Sequence, residues 1–271
     1  MAQAATRTAN KPTMNKRRRI IFYVLVGLAL AALAAYPPIL AGPVVAWLDE
    51  SVIDSLFGEE GLGAHRVHIE GATLLFWLTI VAMIAQFRRP ETKAAPLWAA
   101  AAAWVIFLPI ELTHLADPFS IIVTVLVVSV LALHPRRWPE GGVTWRRAPR
   151  AVAMIGIVFA AVYAYQQVLL QVNGLPEDPH VAGSHYALMA VLAIGLAVSA
   201  TIGATDFPGH QISAWTAGII TAVLGVFFIG HPDQVSSAGA GWGVGMILWA
   251  VAYLWAGSRS PRATNAIAAA G

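Results

Sequence analysis

Eight apolar blocks, each about 20 residues long and set apart by short polar or proline-containing breaks, run through the chain. A helix of that length crosses the roughly 30 Å hydrocarbon core of a bilayer, and in hydrocarbon a helix satisfies its backbone hydrogen bonds within its own segment. The blocks predict an all-α, polytopic membrane protein with spans near 20–37, 67–87, 95–113, 118–134, 149–171, 184–204, 211–230 and 238–257. Composition points the same way: 58% of the 271 residues are apolar and 11% are charged, against about 25% charged in an average soluble domain. A multi-pass place in the cell membrane, with the lipid bilayer as first partner, is the expectation. The chain has no cysteine, which removes disulfides, thiolate metal sites, a cysteine nucleophile and thiolate-held iron–sulfur clusters. Histidine and carboxylate remain as ligands.

Orientation follows from lysine and arginine, which are retained on the cytoplasmic side in short loops. With both termini inside, the Lys16-Arg17-Arg18-Arg19 run, Arg88, Arg89, Lys93, Arg136, Arg137, Arg146, Arg147, Arg150, Arg259 and Arg262 fall on that side, and Arg66 falls outside. The sequence pI of about 9.4 is then a topology signal beside anionic headgroups, and no nucleic-acid partner is implied. Residues 1–19 read as a disordered cytoplasmic tail leading into an uncleaved first span, and 259–271 as a second tail. Between the first two spans, segment 39–63 is too acidic to cross and too apolar to float free. It reads as an outer lid with an interfacial helix near 44–57.

The chain also repeats. A shift of 117 residues superimposes His68 on His185, Trp98 on Trp215 and His114 on His231 without a gap. Spans two and three of a first half (20–140) thus correspond to spans six and seven of a second (141–258). Each half has an even number of spans, so the expected architecture is two tandem four-helix bundles related by a pseudo-two-fold along the membrane normal.

Six of the eight histidines (His65, His68, His114, His180, His185 and His231) fall at outer helix ends, and His134 and His210 fall at the cytoplasmic side. In each half one imidazole stands where the chain enters the membrane and another where it climbs back, so His68 with His114 and His185 with His231 are the candidate pairs for sharing an ion or axially ligating a haem iron. Glu111 and His114 have the Glu-x-x-His spacing of di-metal carboxylate bundles, and His65 and His68 share that spacing on the neighbouring helix. His65, His68, Glu111 and His114 form the candidate metal set. Glu70 and Glu111 lie at or below the interface, where an ionised carboxylate is expensive, and are the candidate catalytic groups. His180, His134 and His210 read as interfacial residues, Trp98 and Trp215 as belt residues, and Gln166 and Gln167 as interhelical hydrogen-bonders. The run of Gly239, Gly241, Gly243 and Gly245 begins a span, so it reads as close helix packing rather than nucleotide binding. Phosphate-binding loops, a Rossmann fingerprint and a His-Glu-x-x-His motif are all missing from the sequence.

Eight spans in two four-helix halves, outer histidines in each and a longer first outer loop resemble haem A synthase and its relatives. That resemblance implies a pair of histidines in each half holding a haem, one haem as cofactor and one as the substrate being oxidised. His65-Arg66 is the counterpart of the family's His-Arg pair. The first outer loop lacks the paired cysteines of many members and the second half lacks a His-Arg, so architecture and haem b are carried over and the reaction is not. The leading expectation is a haem- or metal-binding membrane protein with a redox role in electron transfer or oxidation, meeting a redox partner or a small apolar substrate. A copper or iron binding or delivery protein is the first alternative, and a non-catalytic membrane subunit the second.

Overall fold

The computed structural model describes residues 14–35, 42–45, 47–49, 51–52, 66–114, 118–139 and 142–259, with backbone alone over 110–114. In chain order the helices are α1 (Lys16–Ala34), α2 (Gly42–Val45), α3 (Arg66–Ile84), α4 (Ala94–His114), α5 (Pro118–Leu133), α6 (Arg147–Asn173), α7 (Pro179–Ala182), α8 (His185–Gly203), α9 (His210–Gly230) and α10 (Ala240–Arg259). Among the described residues the fold is all-helical, with one isolated β-bridge between Trp145 and Thr205. Five helices are long and apolar enough to cross a membrane, namely α3 with its 3-10 extension to Phe87, α6, α8, α9 and α10; Ala94–Pro109 of α4 and Pro118–Leu133 of α5 are shorter apolar segments.

The first helix starts four residues before the apolar block, inside the stretch expected to be tail. Asn15 accounts for this: its side chain accepts the Arg18 N–H at 2.8 Å, an N-cap that fixes the first turn across the basic run. Arg18 then donates to the carbonyls of Leu133 and His134 at the end of α5. Residues 1–13 and 260–271, the bulk of both expected tails, lie outside the described residues, as does most of 39–63. The described part of that outer segment is α2, residues 47–49 and a helical pair at 51–52.

Two closed rings of four helices make up the body. In the first, α1, α3, α4 and α5 each pack on the next and α5 returns to α1; in the second, α6, α8, α9 and α10 do the same. The rings meet through α3 and α4 on one side and α8 and α9 on the other. Small residues let these backbones approach, as is usual between apolar helices. A Cβ on Gly71 of α3 would collide with Met189 of α8 (2.1 Å), and one on Gly195 of α8 would press on Ala103 of α4 (3.0 Å). At the inner end, Gly209 (φ +86°) lies against the Lys93 backbone, and Ala95 N–H donates to the Pro208 carbonyl at 2.9 Å. The outer helices α6 and α10 instead carry exposed apolar side chains, among them Val158, Val162, Leu248 and Val251.

Two packing details matter for stability. Gly225 of α9 and Gly243 of α10 touch backbone to backbone, since a Cβ on either would lie 2.4–2.7 Å from the other's carbonyl oxygen. Of the glycine run, then, Gly243 does the packing that its pattern predicts, whereas a Cβ on Gly239, Gly241 or Gly245 would meet nothing within 4 Å. At the inner end, Asp206 receives the Thr144 backbone N–H (2.9 Å) and hydroxyl (2.6 Å). Burial pushes its carboxyl up, but these hydrogen bonds outweigh it and hold the group below the usual aspartate range. Gly243→Val should destabilise the fold by about 1–3 kcal/mol through overpacking, read as a lower melting temperature in detergent, while Gly241→Ala, whose Cβ meets nothing within 4 Å, should leave it unchanged. A depressed carboxyl stabilises the fold above the unfolded-state pKa of about 3.9, and that contribution is lost as pH falls through the folded value. Asp206→Ala should therefore lower stability at neutral pH by under about 1 kcal/mol, since the group is exposed, and flatten the acid limb below pH 4.

Candidate functional site

The outer ends of the central helices carry a cluster of imidazoles. His68 stands in the first turn of α3 and His185 opens α8, so the contact between these helices brings the two residues together across the meeting of the rings. Their ring centres are 5.2 Å apart. A third ring, His180, joins them from α7, at 5.0 Å from His68 and 5.9 Å from His185, and Tyr186 closes one side at 5.7 Å from His68. His68 is only 3% exposed.

Local sequence explains how His180 is aimed. Asp178 caps α7, Pro179 occupies its first position, and the Asp178 carboxylate accepts both the backbone N–H of His180 (2.8 Å) and its ring Nδ1–H (2.8 Å). The Tyr186 hydroxyl donates to the other carboxylate oxygen at 3.3 Å. The backbone hydrogen bond from His180, followed by its ring, holds the Asp178 carboxyl below the usual range despite some burial. With Nδ1–H committed to Asp178, the lone pair of His180 is on Nε2, an atom buried from solvent.

His68 is fixed by a second chain of hydrogen bonds. The Ser236 hydroxyl donates to Gln167 Oε1 at 2.6 Å, so its oxygen accepts from His68 Nε2–H at 2.7 Å. This places the His68 lone pair on Nδ1, also buried. Ser236 has a left-handed backbone (φ +67°), sparsely populated outside glycine; its carbonyl accepts the Tyr163 hydroxyl at 2.7 Å. The loop after α9 is thereby pinned to α6 and α3 together.

The remaining candidates are placed as follows. Glu70 is fully buried on α3, and neither carboxylate oxygen has a hydrogen-bond partner among the described residues. It lies one turn before Thr73, the residue against which Gly42 of α2 packs. His231 follows α9, and its described ring neighbours are Trp47 (4.8 Å) and Phe227 (6.1 Å). Trp47 also covers Gly230, so the outer segment reaches from the first ring to the second. His185 meets His68 and His180 rather than His231 among these contacts. Glu111 and His114 lie in the last turn of α4 with their side chains outside the described residues, and His65 lies outside them altogether, so the pairing of His68 with His114 falls there too.

Sequence reading alone sets His180 aside as interfacial; the Asp-Pro-His run is the signal that an aimed imidazole is present. Ser236 carries no signal of its own. Two other histidines have structural work: His134 donates Nε2–H to the Pro90 carbonyl at 2.7 Å and accepts the Arg136 N–H at Nδ1, and His210 Nδ1 contacts the Phe207 carbonyl. Trp98 donates to the Arg137 carbonyl, whereas Trp215 is 57% exposed.

The ring spacing fits an ion. Imidazole nitrogens bonded at about 2 Å to one tetrahedral ion hold their ring centres roughly 5 Å apart, close to the separations seen. As the side chains stand, no group of three or more His, Asp or Glu among the described residues forms a metal site, so loading would require the rings to turn. Comparison with protein-family models, curated proteins and solved structures gives no match.

The hydrogen bonds fix opposite tautomers. Nitrogen-15 NMR of histidine-labelled protein should show His68 protonated at Nε2 and His180 at Nδ1, and Ser236→Ala should release the His68 preference alone. The same tautomer on both rings would overturn the network.

Proposed function

We propose that the chain is an eight-span protein of the cell membrane that binds a transition-metal ion, copper or iron, at its outer end through His68, His180 and His185. One observation carries this reading: three mutually adjacent imidazoles, two of which give one ring nitrogen to an oriented oxygen acceptor and carry their lone pair on the other, buried nitrogen. Metal-ligating histidines characteristically donate their second ring nitrogen in this way, often to a carboxylate as His180 does to Asp178. Copper and iron bound by imidazole can change oxidation state, which makes electron transfer to a partner at the outer face the chemistry such a site supplies.

The two-halves architecture, with a pseudo-two-fold along the membrane normal and both termini cytoplasmic, is part of the proposal. The identical order of neighbours in the two rings supports it, as does the meeting of His68 with His185, its counterpart 117 positions on. The crowding of His180 and Tyr186 around that pair favours a bare ion over haem, because a porphyrin between two axial imidazoles needs a flat space far wider than the gap left here. Glu70, buried two residues beyond His68 without a described partner, is a candidate for carrying a proton or a balancing charge near the ion.

Titration of the purified full-length protein with cuprous, cupric and ferrous ions, followed by calorimetry and elemental analysis, should give one bound ion per chain. His68→Ala, His180→Ala and His185→Ala should each abolish tight binding, Asp178→Asn should weaken it about 10- to 100-fold, and His210→Ala should leave it unchanged. Unaltered affinity in all three histidine variants would sink the proposal. A Soret band lost in His185→Ala and His231→Ala would return the haem reading in its place.

A further inference from the structure

The second ring is hollow. Between α6, α8, α9 and α10 lies a cavity of about 280 Å³, walled by Phe159, Tyr163, Phe228, Trp242 and Trp249 and by small or aliphatic residues of α8. Thr221 of α9 also lines it. That residue is only 9% exposed, and its hydroxyl makes no hydrogen bond among the described residues. No histidine lines the cavity, so occupancy of this space does not depend on the metal reading.

The 117-residue register indicates what is missing. Ala193 and Thr221, which line the cavity, correspond to Phe76 and Trp104 in the first ring. Phe76 and Trp104 are both buried and pack against each other with ring centres 5.8 Å apart; Trp104 gives its indole N–H to Thr79 at 2.8 Å. The first ring thus fills its interior with two of its own aromatic rings, one of them carrying a polar edge. The second ring leaves that volume open, surrounds it with aromatic side chains and places on its wall the hydroxyl of Thr221, which unlike that of Tyr163 makes no hydrogen bond among the described residues.

We propose that the cavity binds the planar, oxygen-bearing ring of a lipid-soluble small molecule, of the quinone class, with Thr221 donating a hydrogen bond to a ring carbonyl. Size agrees: an apolar protein cavity of about 150 Å³ accommodates benzene, so this one suits roughly a dozen non-hydrogen atoms. Aromatic walls favour a flat ring through offset and edge-on contacts, and one polar group in an apolar lining is the usual way a site fixes orientation. The way in is from the side. Gly241 and Gly245 line the cavity and are themselves exposed, and Phe159 of α6 is half exposed beside them, which opens the ring to the surrounding lipid between α6 and α10.

The test uses the full-length protein in phosphatidylcholine nanodiscs and duroquinone as probe, read by saturable quenching of tryptophan emission. One saturable site is expected. Thr221→Val should weaken binding about 2- to 10-fold, the effect of one hydrogen bond, and Thr221→Trp, which restores the first ring's residue, should abolish it. Gly245→Leu should also abolish binding; its Cβ meets nothing within 4 Å, so this variant keeps the fold intact if the tryptophan does not. Absence of saturable quenching would overturn the proposal, as would unchanged affinity in Gly245→Leu. Relief of the quenching by decane at concentrations comparable to those of duroquinone would overturn the choice of an oxygen-bearing ring.

Discussion

Close packing of α8 against α3 and α4 is the constraint on which the rest of the structure depends. Gly71 of α3 makes room for the Met189 side chain of α8, and Gly195 of α8 makes room for Ala103 of α4, so the two rings share a seam of close contacts. Helices in an apolar medium gain nothing from merely excluding water from one another, and tight van der Waals contact is what remains to hold them. Because this seam runs to the N-terminal ends of α3 and α8, it also fixes the separation of His68 and His185. The packing and the chemistry of the cluster are one geometric fact.

Around that seam the two rings differ in complementary ways. The first carries the buried carboxyl of Glu70 and an interior closed by Phe76 and Trp104. The second supplies most of the polar partners: Asp178, Gln167, Tyr163 and Ser236 all belong to it, and they orient a histidine of the first ring as well as their own. Such oriented acceptors are what turn adjacent imidazoles into a site with defined lone pairs, since ring tautomers are set by whichever nitrogen is already engaged.

Much of the fold is legible in the sequence because helix length and apolar periodicity are local. The ends of α3, α4, α5, α8 and α9 fall within a few residues of the expected breaks. Partner assignment is where local reasoning ends. Nothing local in the sequence links His68 to His180 and His185, which it meets across the seam from more than 100 residues away. The start of α1 escapes such reasoning because charge argues for tail while the Asn15 cap, a single side chain, argues for helix. Gly241 and Gly245 look identical to Gly243 in the sequence, yet only Gly243 faces a backbone. The left-handed turn at Ser236 has no signature, since it is stabilised by bonds from α6 and α3 rather than by its own loop.

The hydrogen bond between His68 and Ser236 joins residues 168 positions apart, and this separation bears on biogenesis. When α3 has been made, its imidazole has none of the neighbours that orient it, and it acquires the last only after α9 and the turn that follows it have been made. A chain truncated anywhere before that turn carries the histidine without its orienting serine, so the fully oriented cluster is a product of completed synthesis.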